Sequence, residues 1–174
     1  MLEPAILHKE EITKAFGRIL YTEKYLWYTG SIDNYEWEIK EEADKFQFAI
    51  VDYNYGTKEV IGFISFRIDW YCSCAYNFGL IKFDNNSDGV KFDRLRTTRK
   101  MTSAVREVIK MIKGFNLHRI DFRCVGGNPA GKKYFKLLSV FNKDYLTRAV
   151  TFFDNIKDRK GDYHDTIMFE LIQR

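Results

Sequence analysis

Between Cys74 and Val125 the spacing of the apolar residues changes twice, and few folds accommodate such a change. Cys74-Ala-Tyr-Asn-Phe-Gly-Leu-Ile-Lys-Phe83 is a short, mostly apolar run and predicts a strand. Met101, Ala104, Val105, Val108, Ile109, Ile112 and Phe115 then recur at three and four residues, which predicts a helix over 101–113 closed by Gly114. His118-Arg-Ile-Asp-Phe-Arg-Cys-Val125 reads as a strand again. A strand, a helix and a strand in this order predict a parallel pair joined by a right-handed crossover. Gly79 inside the first strand marks a bulge or a close backbone approach.

The rest of the chain must be built around that unit. Ile12, Ala15, Phe16, Ile19 and Leu20 give residues 9–20 the spacing of an amphipathic helix. An aromatic stretch follows, from Tyr21 to Trp37, with room for a second short helix. Residues 46–52 alternate as a strand, Tyr53-Asn-Tyr-Gly-Thr57 supplies a turn, and Val60–Asp69 continues as a second strand, so an antiparallel hairpin is expected. Asp84–Asp93 is polar and reads as a loop. Asn128-Pro129 is a strong helix start, because Asn caps free amides and Pro suits the first helical position. Ala130, Tyr134, Leu137, Leu138 and Phe141 form the apolar face of that helix. Tyr145–Phe153 and Tyr163–Ile172, joined through Lys157–Asp162, predict a closing hairpin. The whole is read as an α+β fold: a mixed, mostly antiparallel central sheet of about six to seven strands with helices on both faces, in one domain over residues 1–174.

Composition narrows the function classes. The chain has 174 residues, 45% of them hydrophobic and 17% aromatic, enough for a packed core. No apolar run reaches the ~18 residues of a membrane span, and the first eleven residues are too short and acidic for a secretory signal. Three cysteines without a CxxC indicate neither a disulfide framework nor a zinc site. A soluble, cytoplasmic protein without a metal is expected. No GxxxxGK[ST] and no GxGxxG follows a strand.

Charge is informative where it clusters. The net charge of +4 is modest. However, Arg94, Arg96, Arg99 and Lys100 crowd the predicted start of the 101–113 helix, with only Asp93 opposing them locally. Each cation there costs roughly 0.3–1 kcal/mol against the helix dipole. The cluster and the free amides of a helix start together suggest an anion site for a phosphate-bearing ligand. The plainer reading is a solvated loop with its side chains turned away.

The order of elements and the residues at two junctions resemble the GNAT (Gcn5-related) N-acetyltransferases. The resemblance rests on CAYNFGLIKF with the basic loop and the helix beginning Thr102-Ser-Ala-Val-Arg-Glu, on HRIDFRCV, on Asn128-Pro-Ala-Gly-Lys-Lys-Tyr-Phe-Lys-Leu-Leu138, and on the terminal GDYHDTIMFELI. It implies that the two central strands splay apart, that the pantetheine arm of acetyl-CoA lies in the gap, and that its diphosphate sits at the start of the following helix. The residues implied to hold acetyl-CoA are Phe78, Gly79, Leu80, Ile81, Arg99, Lys100, Met101, Thr102, Ser103, Ala104 and Asn128. The family's loop of Arg/Gln-x-x-Gly-x-Gly/Ala is here Arg99-Lys-Met-Thr-Ser-Ala104, with Thr102 in place of a glycine.

The same resemblance implies direct attack of a primary amine on the thioester, with Tyr134 as the acid for the leaving thiolate. A phenol's ordinary pKa near ~10 suits that exchange. Tyr134 also lies on an apolar helical stripe, where packing is the commoner role. The base is open among Asp69, Asp121 and groups on the Cys74–Phe83 strand. Cys72, Cys74 and Cys124 read as inert thiols, and His118 as a capping or surface residue. The acceptor is a small-molecule or peptide amine, with no membrane or nucleic acid expected as partner, and a homodimer in keeping with the family's habit. The competing reading is an inactive GNAT-like module that binds a protein or nucleic acid through its basic face.

Overall fold

The computed structural model describes residues 1–20, 22–29, 39–54, 56–83, 94–128, 145–158 and 160–174. Seven strands are ordered β1-β2-β3-β4-β5-β7-β6 in one mixed sheet: β1 (Leu2–Pro4), β2 (Lys45–Asn54), β3 (Thr57–Asp69), β4 (Cys74–Lys82), β5 (Arg119–Val125), β6 (Tyr145–Lys157) and β7 (Tyr163–Gln173). The described helices are α1 (Lys9–Ile19), α2 (Glu23–Thr29) and α3 (Arg94–Gly114). The expected helix from Asn128, the loop 84–93 and Tyr134 lie outside the described residues, apart from Asn128 itself. The chain divides into two compact units, with β3 and β4 contributing to both.

The first unit comprises Met1–Arg18, Trp37–Phe66 and Gly79–Asn116. Its first strand, β1, is absent from the sequence reading because three residues show no alternation. It pairs antiparallel with β2, Leu2 opposite Ile50 and Pro4 opposite Phe48, at the outer side of the sheet where a proline is tolerated. α1 carries Glu10 and Glu11 in its first turn, favourable to the dipole, and buries Ile12 and Phe16. The Phe16 ring meets Phe63 and Phe83 edge-on at 5.6 and 5.5 Å, and Phe46 stacks on Phe66 at 5.0 Å. Gly62 on β3 has no room for a side chain: a Cβ there would lie 2.7 Å from the Ile81 carbonyl oxygen and 2.8 Å from the Met101 sulfur.

α3 corrects one expectation. It begins at Arg94, not near residue 101, so the basic residues lie within the helix. The apolar spacing starts only at Met101, and Thr97, buried one turn earlier, is polar and gives no such signal.

The second unit comprises Ile19–Glu36, Arg67–Phe78 and Leu117–Arg174. β7 runs between β5 and β6 and is antiparallel to both, from Arg119 opposite Ile172 to Val125 opposite Thr166, and from Tyr145 opposite Gln173 to Lys157 opposite Tyr163. The closing hairpin is thus as expected, although its second strand is interposed between its first strand and β5. Phe122 stacks on Phe169 at 4.9 Å beneath this part of the sheet.

Candidate active site

β4 and β5 are parallel, as the sequence predicts, and their registered pairs are Cys74 with Arg119 and Ala75 with Ile120. Two links hold the start of the pair: the Arg119 amide donates to the Ser73 carbonyl at 3.1 Å, and the His118 amide donates to the Ser73 hydroxyl at 3.2 Å. Two residues further along β4, Asn77 takes a φ of 56°. Left-handed backbone is tolerated best by glycine and asparagine. It turns the strand away from its ladder. The strand is therefore irregular at Asn77, two residues before the glycine that the sequence singles out.

A cleft of about 1010 Å³ opens within the second unit where the pairing stops. Tyr76, Asn77 and Phe78 line one side and Asp121, Phe122 and Arg123 the other. The rings of Phe78 and Phe122 meet edge to face across it at 6.3 Å. Thr166 and Met168 of β7 and Asn155 and Ile156 of β6 add to the lining, and Trp27 of α2 supplies an aromatic wall. Trp27 belongs to the aromatic stretch that runs from Tyr21 to Trp37 in the sequence.

The polar groups of the cleft are largely engaged with one another. Asp121 is buried, and both of its oxygens accept from Arg119 Nε at 2.8 Å; an Arg119 NH2 group donates to it as well. Glu170 stands 3.8 Å from the same guanidinium. Hydrogen bonding to Asp121 raises the pKa of Arg119 further, so the guanidinium stays charged. The Cys74 thiol lies 3.7 Å from Asp121 Oδ2, and burial, reinforced by that carboxylate, pushes it up to about 11. Such a thiol is not a nucleophile at neutral pH. At the lip, Asp69 accepts from the Cys72 amide at 2.9 Å, which holds its carboxyl below the usual range. The same carboxylate pushes the exposed Cys72 thiol up. Arg119, Phe122 and Arg123 were not singled out in the sequence. Alternation along HRIDFRCV marks a strand but not which neighbour withdraws from it.

The residues named from the family resemblance fall in different places. Phe78 lines the cleft, and Asn128 follows the end of β5, with its amide donating to the Val125 carbonyl at 3.1 Å. Gly79, Leu80 and Ile81 continue β4 into the first unit, where Gly79 and Ile81 are buried. Arg99 and Ser103 are exposed on α3, Lys100 is half-buried, and Ala104 is fully buried. Met101 sits over Gly62, and the Thr102 hydroxyl donates to the Thr98 carbonyl at 2.8 Å. The sequence placed only Asp93 against the basic cluster. In the fold, Asp52 of β2 takes Arg96 in a two-pronged ion pair and stands 3.5 Å from Lys100. A carboxylate 44 residues away is invisible to local charge counting.

Among the described residues no group of three or more His, Cys, Asp or Glu could hold a metal ion, and no helix is long and apolar enough to cross a membrane. No family model and no curated protein matches the chain by sequence. Solved structures do match. A probable acetyltransferase is 17% identical over 75% of this chain and 63% of its own, with a TM-score of 0.52. A probable GNAT-family acetyltransferase from Chromobacterium violaceum is 16% identical over 75% and 60%, with a TM-score of 0.50. The Escherichia coli ribosomal-protein-S18-alanine N-acetyltransferase is 11% identical over 77% and 73%, with a TM-score of 0.51. This chain spans about six tenths of the length of the first two. The seven-stranded mixed sheet, the parallel pair that parts at Asn77 and these neighbours agree: the chain has the fold of the GNAT N-acetyltransferases.

Proposed function

We propose that this protein is an N-acetyltransferase that moves an acetyl group from acetyl-CoA to a primary amine in a ternary complex. The observation that carries the reading is the parting of β4 from β5 after Ala75 and Ile120, with the cleft behind it. Strand edges that have left their ladder keep amides and carbonyls free for an extended acyl arm. Acetyl-CoA supplies the activated thioester. The amine nitrogen attacks the thioester carbonyl carbon, the C–S bond breaks, and the thiolate takes a proton. Tyr134, outside the described residues, has the role of acid on the family resemblance, and Asn128 that of holding the arm.

Asp121 has both oxygens committed to Arg119, so its role is to fix the shape of the cleft. Asp69 stays ionised at the lip and draws a cationic amine toward it. The acceptor class fits a small amine or a peptide N-terminus. One neighbour's name specifies the alanine of a ribosomal protein.

The test is thiol release from acetyl-CoA in the presence of a panel of primary amines, with thermal stability measured in parallel. Turnover with at least one amine and a rise in melting temperature with acetyl-CoA are expected. No shift at millimolar acetyl-CoA and no thiol release would overturn the proposal. Tyr134→Phe should lower kcat more than it weakens cofactor binding.

One observation favours a second reading. Arg96 and Lys100 are committed to Asp52, and Met101 and Ala104 face the core of the first unit, so much of the stretch named for the diphosphate is otherwise engaged. An inactive module that binds a partner through its basic face would show salt-sensitive binding to a polyanion and no response to acetyl-CoA.

A further inference from the structure

We propose that the amine acceptor of the cleft carries a carboxylate on the same molecule, and that Arg123 is the residue that binds it. The inference rests on the acetyl-transfer reading and narrows it from primary amines at large to acceptors resembling amino acids or short peptides. Alternation along β5 places Arg119, Asp121, Arg123 and Val125 on one face of the sheet. Residues directly opposite them on β7, and opposite those in turn on β6, share that face. Asp121, Glu170 and Arg148 therefore form one row across the three strands. Arg123, Met168 and Val150 form the next. Charge on this face does not balance. Its two registered carboxylates stand in the first row: Arg119 holds Asp121 and lies 3.8 Å from Glu170, and Arg148 is in register with Glu170. The third arginine is left over. Arg123 is exposed, lines the cleft, and its guanidinium makes no hydrogen bond or ion pair among the described residues. Met168 and Val150 support its stem and offer its charge nothing.

An uncompensated cation works against a site for protonated amines, because like charges repel across a partly dry cleft. An acceptor that brings a carboxylate turns the repulsion into a two-pronged ion pair, the geometry for which a guanidinium is built. One guanidinium matches one negative charge. A phosphate brings roughly two charges and three acceptor oxygens, which a single arginine leaves half-satisfied. The opposite pole of the cleft is at the start of β5, where Asp69 stands at the lip. Arg123 lies four residues beyond Arg119, ~13 Å along the strand, so the two signs are separated. Phe78, Phe122 and Trp27 supply apolar walls for the body of such a ligand. A polyamine, cationic along its whole length, meets the wrong sign at Arg123.

Calorimetric titration of the full chain with the dipeptide Leu-Phe and with its C-terminal amide tests the carboxylate alone, because the two probes share their shape. The acid should bind at least tenfold tighter. Arg123→Gln should erase that preference. Arg123→Lys, which keeps the charge and loses the planar fork, should retain part of it. Equal binding of acid and amide, no binding of either at millimolar concentration, or a preference that survives in Arg123→Gln overturns the proposal. Thiol release from acetyl-CoA with the same two probes separates this inference from the reading beneath it. In Arg123→Gln the KM for the acid should rise at least tenfold with kcat within about twofold, since binding of this kind is equal in ground and transition states. Thiol release that is equal for acid and amide overturns the role of Arg123 and leaves acetyl transfer standing. No thiol release with any amine, together with an acid preference that Arg123→Gln removes, overturns acetyl transfer and leaves the carboxylate site standing.

Discussion

Asp52 of β2 grips Arg96 of α3 with both carboxylate oxygens, at 2.9 Å to Nε and 3.0 Å to an NH2 group, and the same guanidinium donates to the Tyr53 carbonyl at 2.8 Å. Burial alone would raise the Asp52 pKa, but Arg96 and Lys100 outweigh it and hold the group below its usual range. Removing one partner of a buried pair strands the other. Arg96 is one third exposed, so the full penalty is not expected. Asp52→Asn should lower unfolding stability by about 2 kcal/mol, read from urea denaturation. A loss smaller than ~0.5 kcal/mol would mean that the pair does not anchor α3.

Glu3 gathers three partners in the first unit. Lys58 Nζ lies at 2.8 Å, the Tyr53 hydroxyl donates to it, and the buried His8 sits with Nε2 2.9 Å away, while His8 Nδ1 faces Glu11 at 3.1 Å. Lys58, then Tyr53 and His8, hold the Glu3 pKa down, from 4.5 to about 2. A carboxyl with a depressed folded-state pKa adds stability that is full above its unfolded value and is lost as pH falls through the folded one. The melting temperature should therefore fall with a Glu3-dependent slope between pH 4.5 and about 2. Glu3→Gln should flatten that slope while leaving the rest of the profile in place. An unchanged slope in the variant would show that Glu3 is not held this way.

Gly62→Ala should be costly. The added methyl would meet a backbone carbonyl at 2.7 Å, which cannot swing aside as a side chain can. Overpacking of this kind costs typically ~1–3 kcal/mol. Gly17→Ala is the matched control. It lies inside α1 with nothing within 4 Å of its new methyl, so a gain of about 0.5–1 kcal/mol is expected. Thermal denaturation of the two variants should move in opposite directions.

The three thiols should separate by alkylation and mass spectrometry. Cys72 is exposed and should label in the native protein, slowly, because Asp69 pushes its pKa up. Cys74, at about 11, and Cys124, also raised by burial, should label only on unfolding. Rapid native labelling of Cys74 would contradict its burial beside Asp121.

These sites differ in how far they can be read from the sequence. α1, the two strands of the strand–helix–strand unit and the closing hairpin are written in local periodicity, and their boundaries fall within a few residues of those expected. α3 extends seven residues further toward the N-terminus because Arg94–Lys100 carries no apolar stripe to announce it. Arg96 and Lys100 are held by Asp52, a contact set by the tertiary fold. Asn77 and not Gly79 takes the left-handed turn. Both residue types permit it, and only the pairing of the neighbouring strand decides between them. Arg119 and Asp121 are two residues apart, so their pairing was readable in principle as same-face neighbours on a strand. Their place beside an opening was not.

The interposition of β7 has a consequence for how the chain comes off the ribosome. β5 is joined to β4 only at its start and otherwise depends on β7, and β6 depends on β7 throughout. A nascent chain arrested before Tyr163 therefore carries two unsatisfied strands, one of them the apolar stretch from Ala149 to Phe153. Such strands are adhesive while they wait. The second unit can close only after synthesis has passed Gln173, so a stall within β7 leaves half of the sheet waiting for its central partner.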